Sequence, residues 1–390
     1  MSMKKFTKKM LAIVAAGAMT MGMAMPAMAA DQTTTDTKNN AKEAYISKTY
    51  NTEVGKAETF SFTATQIMEG DDVIHTAHAV EIPTISFETT DLGTTTKTKK
   101  INLVGTDFPE AGRYSYTVEE NETANPSVTE TAYEKLIMSD AEYRMDVYVV
   151  EKTGGTLEID KIIVNKTKDD KGKATTGKVD IGGDASKNGF NFVNTYVQEA
   201  GTGTDPTNPD PIYNQFGSLN VSKKIVNANG TATTPDDEFA FTATFAFPKG
   251  TDANTLGGIK ANGGDVTLAE GGTYTFHLKA NKNMKFTGVP VGTTITVKES
   301  AAKNYKGSAE ITINGTKLTS VAETSYNTEL TAVRSQKLGQ KQNIVDVTNT
   351  YNDVPVTGII MNTLPYVLMI ALCGVALIAF VGFKRRRLQK

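Results

Sequence analysis

Three polar residue types recur twice in the same order along this 390-residue chain, each where a strand should face a core. Lys48 stands two residues after Ile46, and Lys223 follows Leu219 and Val221 by steps of two. Glu120 follows Tyr116 and Val118 in the same way, and Glu299 follows Ile295 and Val297. Asn194 follows Phe192, and Asn349 follows Val347. Side chains at i and i+2 share one face of a strand, so all six polar groups are predicted to point into apolar interiors. A buried Lys, Glu and Asn with no task would be costly. Burial also drives an amine and a carboxylic acid toward their neutral forms. A neutral amine is a nucleophile and a protonated carboxyl is an acid catalyst, so each trio holds the parts for chemistry on a carboxamide.

The elements that must position these residues repeat as well. Tyr45–Lys48 answers Leu219–Lys223, and Phe60–Thr65 answers Phe239–Thr244. Tyr116–Glu120 then answers Ile295–Glu299, and Phe192–Tyr196 answers Val347–Tyr351. Four matches in one order mark a tandem repeat of a single β fold. Stretches such as Thr59–Thr63, Tyr114–Val118 and Thr273–Phe276 alternate with period two, at the spacing of an all-β sandwich. Thr131–Met138 is read as one turn or a short helix. Residues 198–217 carry three prolines and no apolar periodicity, which predicts a stiff, extended linker. It separates a first domain, 44–197, from a second, 218–353, and a Thr/Asn-rich leader spans 31–43.

Both ends read as processing signals. Lys4, Lys5, Lys8 and Lys9 precede an apolar stretch, Met10–Met25, and small residues at Ala27 and Ala29 suit a signal peptidase. Residues 1–30 are therefore expected to be a cleaved secretory signal rather than an N-terminal anchor. Ile359–Phe383 is apolar and long enough to span a bilayer, and the basic tail 384–390 would stay cytoplasmic. Immediately before that span, Val354-Pro355-Val356-Thr357-Gly358 resembles the sortase signal Leu-Pro-x-Thr-Gly, with Val in the first position. The resemblance implies that a sortase cysteine attacks the Thr357 carbonyl and that Gly358 leaves with the tail. Pro355 presets a bend, and Gly358 leaves the scissile bond unobstructed. The expected location is the cell surface and wall, after transient membrane anchoring.

With these residues in place, both halves resemble the isopeptide-linked domains of streptococcal-type major (backbone) pilins. The second half is also similar to collagen-adhesin B-type stalk domains, and the likeness covers nearly all of Ala44–Asp353. It implies an all-β chain of two tandem Ig-like (collagen-adhesin B-type) sandwiches. It further implies that Lys48 bonds to Asn194 with Glu120 assisting, and Lys223 to Asn349 with Glu299 assisting. A protonated Glu would hydrogen-bond the Asn carbonyl, polarise it and relay a proton to the departing ammonia. Such a bond between first and last strands lets pulling force bypass the domain interior. It also supplies a staple that disulfides do not, since the single cysteine, Cys373, lies in the tail that sortase would discard. For assembly, the resemblance makes Lys187 the candidate nucleophile toward the Thr357 acyl-enzyme of another subunit. Lys166, Lys168, Lys171, Lys173 and Lys178 are alternatives in the same region. The implied partners are sortase, further copies of the chain and peptidoglycan at the base, with minor pilins and a host ligand as further candidates.

Other functions find little support. The formal charge is −2, from 41 Lys+Arg against 43 Asp+Glu, which gives no electrostatic case for nucleic acid. His75 and His78 have H-x-x-H spacing but no third ligand or companion Glu, so no metal is expected there. No cofactor is called for, and no G-x-S-x-G, Walker or Rossmann pattern argues for a turnover enzyme. Two readings compete: a polymerising shaft subunit, and a monomeric wall-anchored adhesin or minor pilin that uses the same domains as a stalk.

Overall fold

The computed structural model describes residues 42–351, together with residues 369, 370, 372 and 373, which are helical. The signal segment, most of the leader, the sorting motif, most of the apolar span and the basic tail lie outside the described residues. Among the described residues no helix is long and apolar enough to cross a membrane. The chain forms two compact units. One takes residues up to Asn51, Lys56–Val128 and Met138–Asn194; the other takes Thr52–Gly55, Thr129–Ile137 and Thr195 onward.

The strands up to residue 198 are β1 (Tyr45–Thr52), β2 (Glu58–Phe60), β3 (Phe62–Ile67), β4 (Ile85–Phe87), β5 (Gly93–Lys100) and β6 (Gly112–Glu120). They continue with β7 (Glu134–Ile137), β8 (Glu142–Glu151), β9 (Leu157–Lys168), β10 (Ala174–Lys178) and β11 (Asn191–Gln198). In the first unit one antiparallel sheet runs β10-β9-β8-β6-β3, and in the other β1 lies between β5 and the first half of β11. Period-two alternation decides what is enclosed. Tyr114, Tyr116 and Val118 of β6 and Tyr143, Met145 and Val147 of β8 are fully buried, as are Ile46 and Tyr50 of β1 and Phe192 of β11. Each buried side chain of this size contributes about 1.5–3 kcal/mol relative to exposure. The opposite face of β1 is a row of polar rungs to β5: Ser47 to Thr98, Thr49 to Thr96 and Asn51 to Thr94. These cross-strand hydrogen bonds let β1 be buried on both faces without orphaned hydroxyls.

The second unit adds β12 (Leu219–Val226), β13 (Glu238–Ala246), β14 (Lys260–Ala261), β15 (Gly264–Asp265), β16 (Thr273–Lys279) and β17 (Lys282–Thr287). It ends with β18 (Thr294–Glu299), β19 (Tyr305–Ile313), β20 (Thr316–Lys317), β21 (Leu330–Lys337) and β22 (Ile344–Tyr351). Its two sheets run β15-β14-β17-β12-β22-β19-β20 and β16-β13-β18-β21. The first strand, β12, pairs in parallel with the last, β22, from Asn220↔Ile344 to Val226↔Thr350. Phe239, Phe241, Ala243 and Phe245 of β13 are buried at alternate positions, as are Leu219, Val221 and Ile225 of β12 and Val345 and Val347 of β22. Two tandem all-β sandwiches are therefore what the chain builds.

Two local expectations change. Thr131–Met138 holds a strand, β7, paired antiparallel with Thr195–Gln198 of β11 in the second unit. Leu136 and Glu134 are buried by that pairing, and Tyr196 Oη donates to Glu134 Oε2 at 2.6 Å. The stretch 198–217 is not an extended linker but part of the second unit. Ala200 and Thr202 are fully buried, and Pro211–Phe216 is a short helix. Asp210 caps that helix by accepting from Ile212 N at 2.9 Å, with Pro211 in its first turn, where a missing N–H costs nothing. Glu199 Oε1 holds the segment down, accepting from Tyr213 Oη, Ser218 Oγ at 2.6 Å and Gly288 N at 2.6 Å. Gly217 ends the helix at φ 64°, where a Cβ would stand 2.4 Å from the Phe286 carbonyl oxygen.

Candidate functional site

Strand parity brings each trio together inside its own unit. In the first, Lys48 projects from β1 beside Ile46 and Tyr50, and its side chain is 0% exposed. Its Nζ lies 2.5 Å from Glu120 Oε1 at the end of β6, and the Glu120 side chain is itself only 1% exposed. Asn194 of β11 donates from Nδ2 to the same Glu120 oxygen at 3.0 Å. The amine and the carboxamide thus share one carboxylate oxygen. Burial pushes the Lys48 amine down to about 8, against the pull of Glu120, and burial pushes the Glu120 carboxyl up despite Lys48. Both shifts run toward the neutral pair that an attack would need.

The second unit repeats the arrangement. Lys223 Nζ of β12 donates to Glu299 Oε1 of β18 at 2.7 Å, and Asn349 Nδ2 of β22 donates to that oxygen at 2.7 Å. All three side chains are buried, and the parallel ladder sets Asn349 opposite Ile225, two residues along from Lys223. Burial lowers Lys223 to about 8 and raises Glu299.

An aromatic floor, not singled out in the sequence, lies under each amine. Lys48 Nζ sits 4.5 Å from the Phe60 ring centroid and Lys223 Nζ 4.1 Å from that of Phe239. The repeat alignment already matched Phe60 with Phe239, so the signal was present. An aromatic face steadies the ammonium yet supplies no acceptor, which keeps the amine's hydrogen-bonding confined to the carboxylate.

The contact between Glu and Asn differs in detail from the expected one. In both units the carboxylate meets the amide nitrogen rather than the carbonyl oxygen. In the first unit the reason is visible: Asn194 Oδ1 accepts the Ser139 N–H at 2.8 Å, which turns the NH2 toward Glu120. In the second, Asn349 Oδ1 has no hydrogen-bond partner among the described residues. Ser139 and Asp170 lie outside the four stretches that match between the repeats.

Lys187 lies in a turn, Asp184–Asn188, with its side chain 67% exposed and Nζ 3.9 Å from Asp184 Oδ2. Lys171, Lys173 and Lys178 are exposed as well, whereas Lys166 is half-buried against Asp170 and Lys168 pairs with Glu142. His75 bonds the Gly70 carbonyl and His78 packs on Phe108, its ring centroid 4.1 Å away. Among the described residues no His/Cys/Asp/Glu group has the makings of a metal site. Val354, Pro355, Val356, Thr357 and Gly358 lie outside the described residues.

A family profile described as a domain of unknown function (DUF7601) matches residues 217–351, the second repeat. No curated protein matches the chain. Among solved structures, the chain is similar to the major pilin protein (T3.2) of Streptococcus pyogenes serotype GAS13637, at 20% identity and TM-score 0.30, over 80% of this chain and 99% of that one. A second Streptococcus pyogenes major pilin matches at 16% identity and TM-score 0.32, over 80% and 99%. A pilus-presented adhesin (Cpa) matches at 9% identity and TM-score 0.25, over 79% and 99%.

Proposed function

We propose that this chain is a secreted structural subunit of a surface fibre, each unit closing an intramolecular Lys–Asn isopeptide bond. Sortase would cleave after Thr357 and join that residue to Lys187 of the next copy, with peptidoglycan reached at the base. The observation that carries this reading is the twofold occurrence of one dry amine–carboxyl–carboxamide cluster spanning first, middle and last strands. Self-linkage needs an amine that gives up its proton and an acid beside the leaving nitrogen, and in each cluster burial draws a lysine amine toward its neutral form while the carboxyl touches the amide nitrogen. The reaction turns over once, so the chain is a self-modifying structural protein and not an enzyme.

Intact mass of the purified chain should fall short of the sequence mass by two ammonia molecules. A mass equal to the plain sequence mass ends the cross-linking proposal. Immunoblots of wall extracts test assembly separately: a high-mass ladder that disappears in Lys187→Ala supports the polymer. One unladdered band in the unaltered chain supports the monomeric stalk instead.

A further inference from the structure

The two trios differ in whether a backbone N–H reaches them: Asn349 Oδ1 and Glu299 Oε2 have no hydrogen-bond partner among the described residues. Asn194 Oδ1 receives the Ser139 N–H at 2.8 Å, and the same N–H lies 3.3 Å from Glu120 Oε2. A network behind Ser139 fixes that N–H in place. Ser139 Oγ donates to Asp170 Oδ1 at 2.7 Å, and Val193 N, the residue before Asn194, donates to the same oxygen at 2.9 Å. Lys166 Nζ binds the other Asp170 oxygen at 3.0 Å. Asp170 therefore ties the residue that carries the donor to the strand that carries the reacting amide. Beside the trio, a cleft of about 860 Å³ reaches Glu120 and Ser139 from surface residues that include Asn121, Asp140 and Lys168.

We propose that the backbone N–H of Ser139 is the oxyanion donor for self-linkage in the first unit and that Asp170 is the positioning residue that aims it. This rests on the isopeptide reading above. Lys48 Nζ passes one proton to Glu120, and its lone pair attacks Asn194 Cγ. The carbonyl π pair moves onto Oδ1, and the Ser139 N–H stabilises the charge gathering there. A second proton moves from the attacking nitrogen, through Glu120, to Nδ2. The Cγ–Nδ2 bond breaks as the oxygen's pair restores the carbonyl, and ammonia leaves through the cleft. The new amide nitrogen keeps one hydrogen, and Glu120 ends protonated. Nothing beyond the three side chains is consumed.

The test uses the full chain made by cell-free synthesis and sampled over time. Peptides linked through Lys48–Asn194 and through Lys223–Asn349 are quantified separately by mass spectrometry. Ser139→Pro deletes the donor, and a backbone ester at residue 139 deletes the N–H while keeping the serine side chain, should proline disturb the fold. In the ester chain the Lys48–Asn194 link should form about 10²–10³-fold more slowly, the usual cost of losing one oxyanion donor. The Lys223–Asn349 link in the same molecule should form at its normal rate. Asp170→Ala should slow the first link about tenfold, and Asp170→Asn, which keeps an acceptor for Ser139 and Val193, should restore it. Added to the ester, Asp170→Ala should slow it no further, whereas a merely structural role would add its own loss. A first link that forms at the normal rate in the ester chain overturns the proposal and leaves the isopeptide reading standing. Absence of both linked peptides from the unaltered chain overturns that reading instead.

Discussion

Replacing Asn349 by alanine isolates the worth of the cross-link proposed for the second unit. The substitution removes the carboxamide but leaves Lys223 paired with Glu299 at 2.7 Å, so no buried charge is stranded. What is lost is the proposed covalent closure of a loop of about 125 residues; in the linked chain Asn349 Nδ2 has already left as ammonia, so its hydrogen bond to Glu299 is no longer there to lose. By the chain-entropy relation used for disulfides, that closure contributes about 5 kcal/mol. For a unit of this size each 1 kcal/mol moves the midpoint by about 2–4 °C, so calorimetry should show the second unit's Tm falling by about 10–20 °C. The first unit's transition should not move. Intact mass of the variant should show one missing ammonia instead of two. A fall of only a few degrees with an unchanged ammonia deficit would mean that no bond joins Lys223 to Asn349, because the hydrogen bond alone accounts for so small a shift.

Other outcomes follow from the same geometry. In Asn349→Ala the unlinked Lys223 has a folded pKa of about 8, below the 10.5 it would have unfolded. The unfolded chain then binds more protons between those values, so stability in urea should rise with pH across that window, by up to about 1.4 kcal/mol per pH unit. The double variant Lys223→Met, Asn349→Ala should lose that rise; if it persists, another group is responsible. Glu199→Ala strips the shared acceptor from Tyr213, Ser218 and Gly288 and should cost the second unit about 2–4 kcal/mol. Limited proteolysis should then cut within 203–217, and resistance equal to that of the unaltered chain would deny Glu199 its anchoring role.

How much was legible in advance depended on whether a residue had a partner elsewhere in the chain. Lys48, Glu120, Asn194 and their second-half equivalents were found because alternation and repetition agreed, and the folded strands bury all six side chains. Ser139 escaped because its contribution is a backbone N–H, which no side-chain pattern encodes. Asp170 escaped because it touches Ser139 and Val193 rather than the trio and lies outside the four matched stretches. Strand β7 was obscured because Glu134, Lys135 and Leu136 are strong helix formers, and pairing with β11 overrides that local preference. The helix at Pro211–Phe216 is too short to show a period. Its prolines were read as stiffeners, when Pro211 is a first-turn residue behind a capping Asp210.

The parallel pairing of β12 with β22 decides how the second unit responds to tension. Stretched from Leu219 and Tyr351, the two strands slide past each other along their length, so every rung from Asn220↔Ile344 to Val226↔Thr350 is sheared at once. Antiparallel neighbours pulled from one end would instead unzip a rung at a time. A Lys223–Asn349 bond set among those rungs would turn the sheared ladder into a continuous thread. Residues 227–343 then hang beside that thread under no strain of their own. Loops there can lengthen, shorten or change composition without weakening a fibre built from the chain, which leaves its exposed face free to diverge while its tensile axis stays constant.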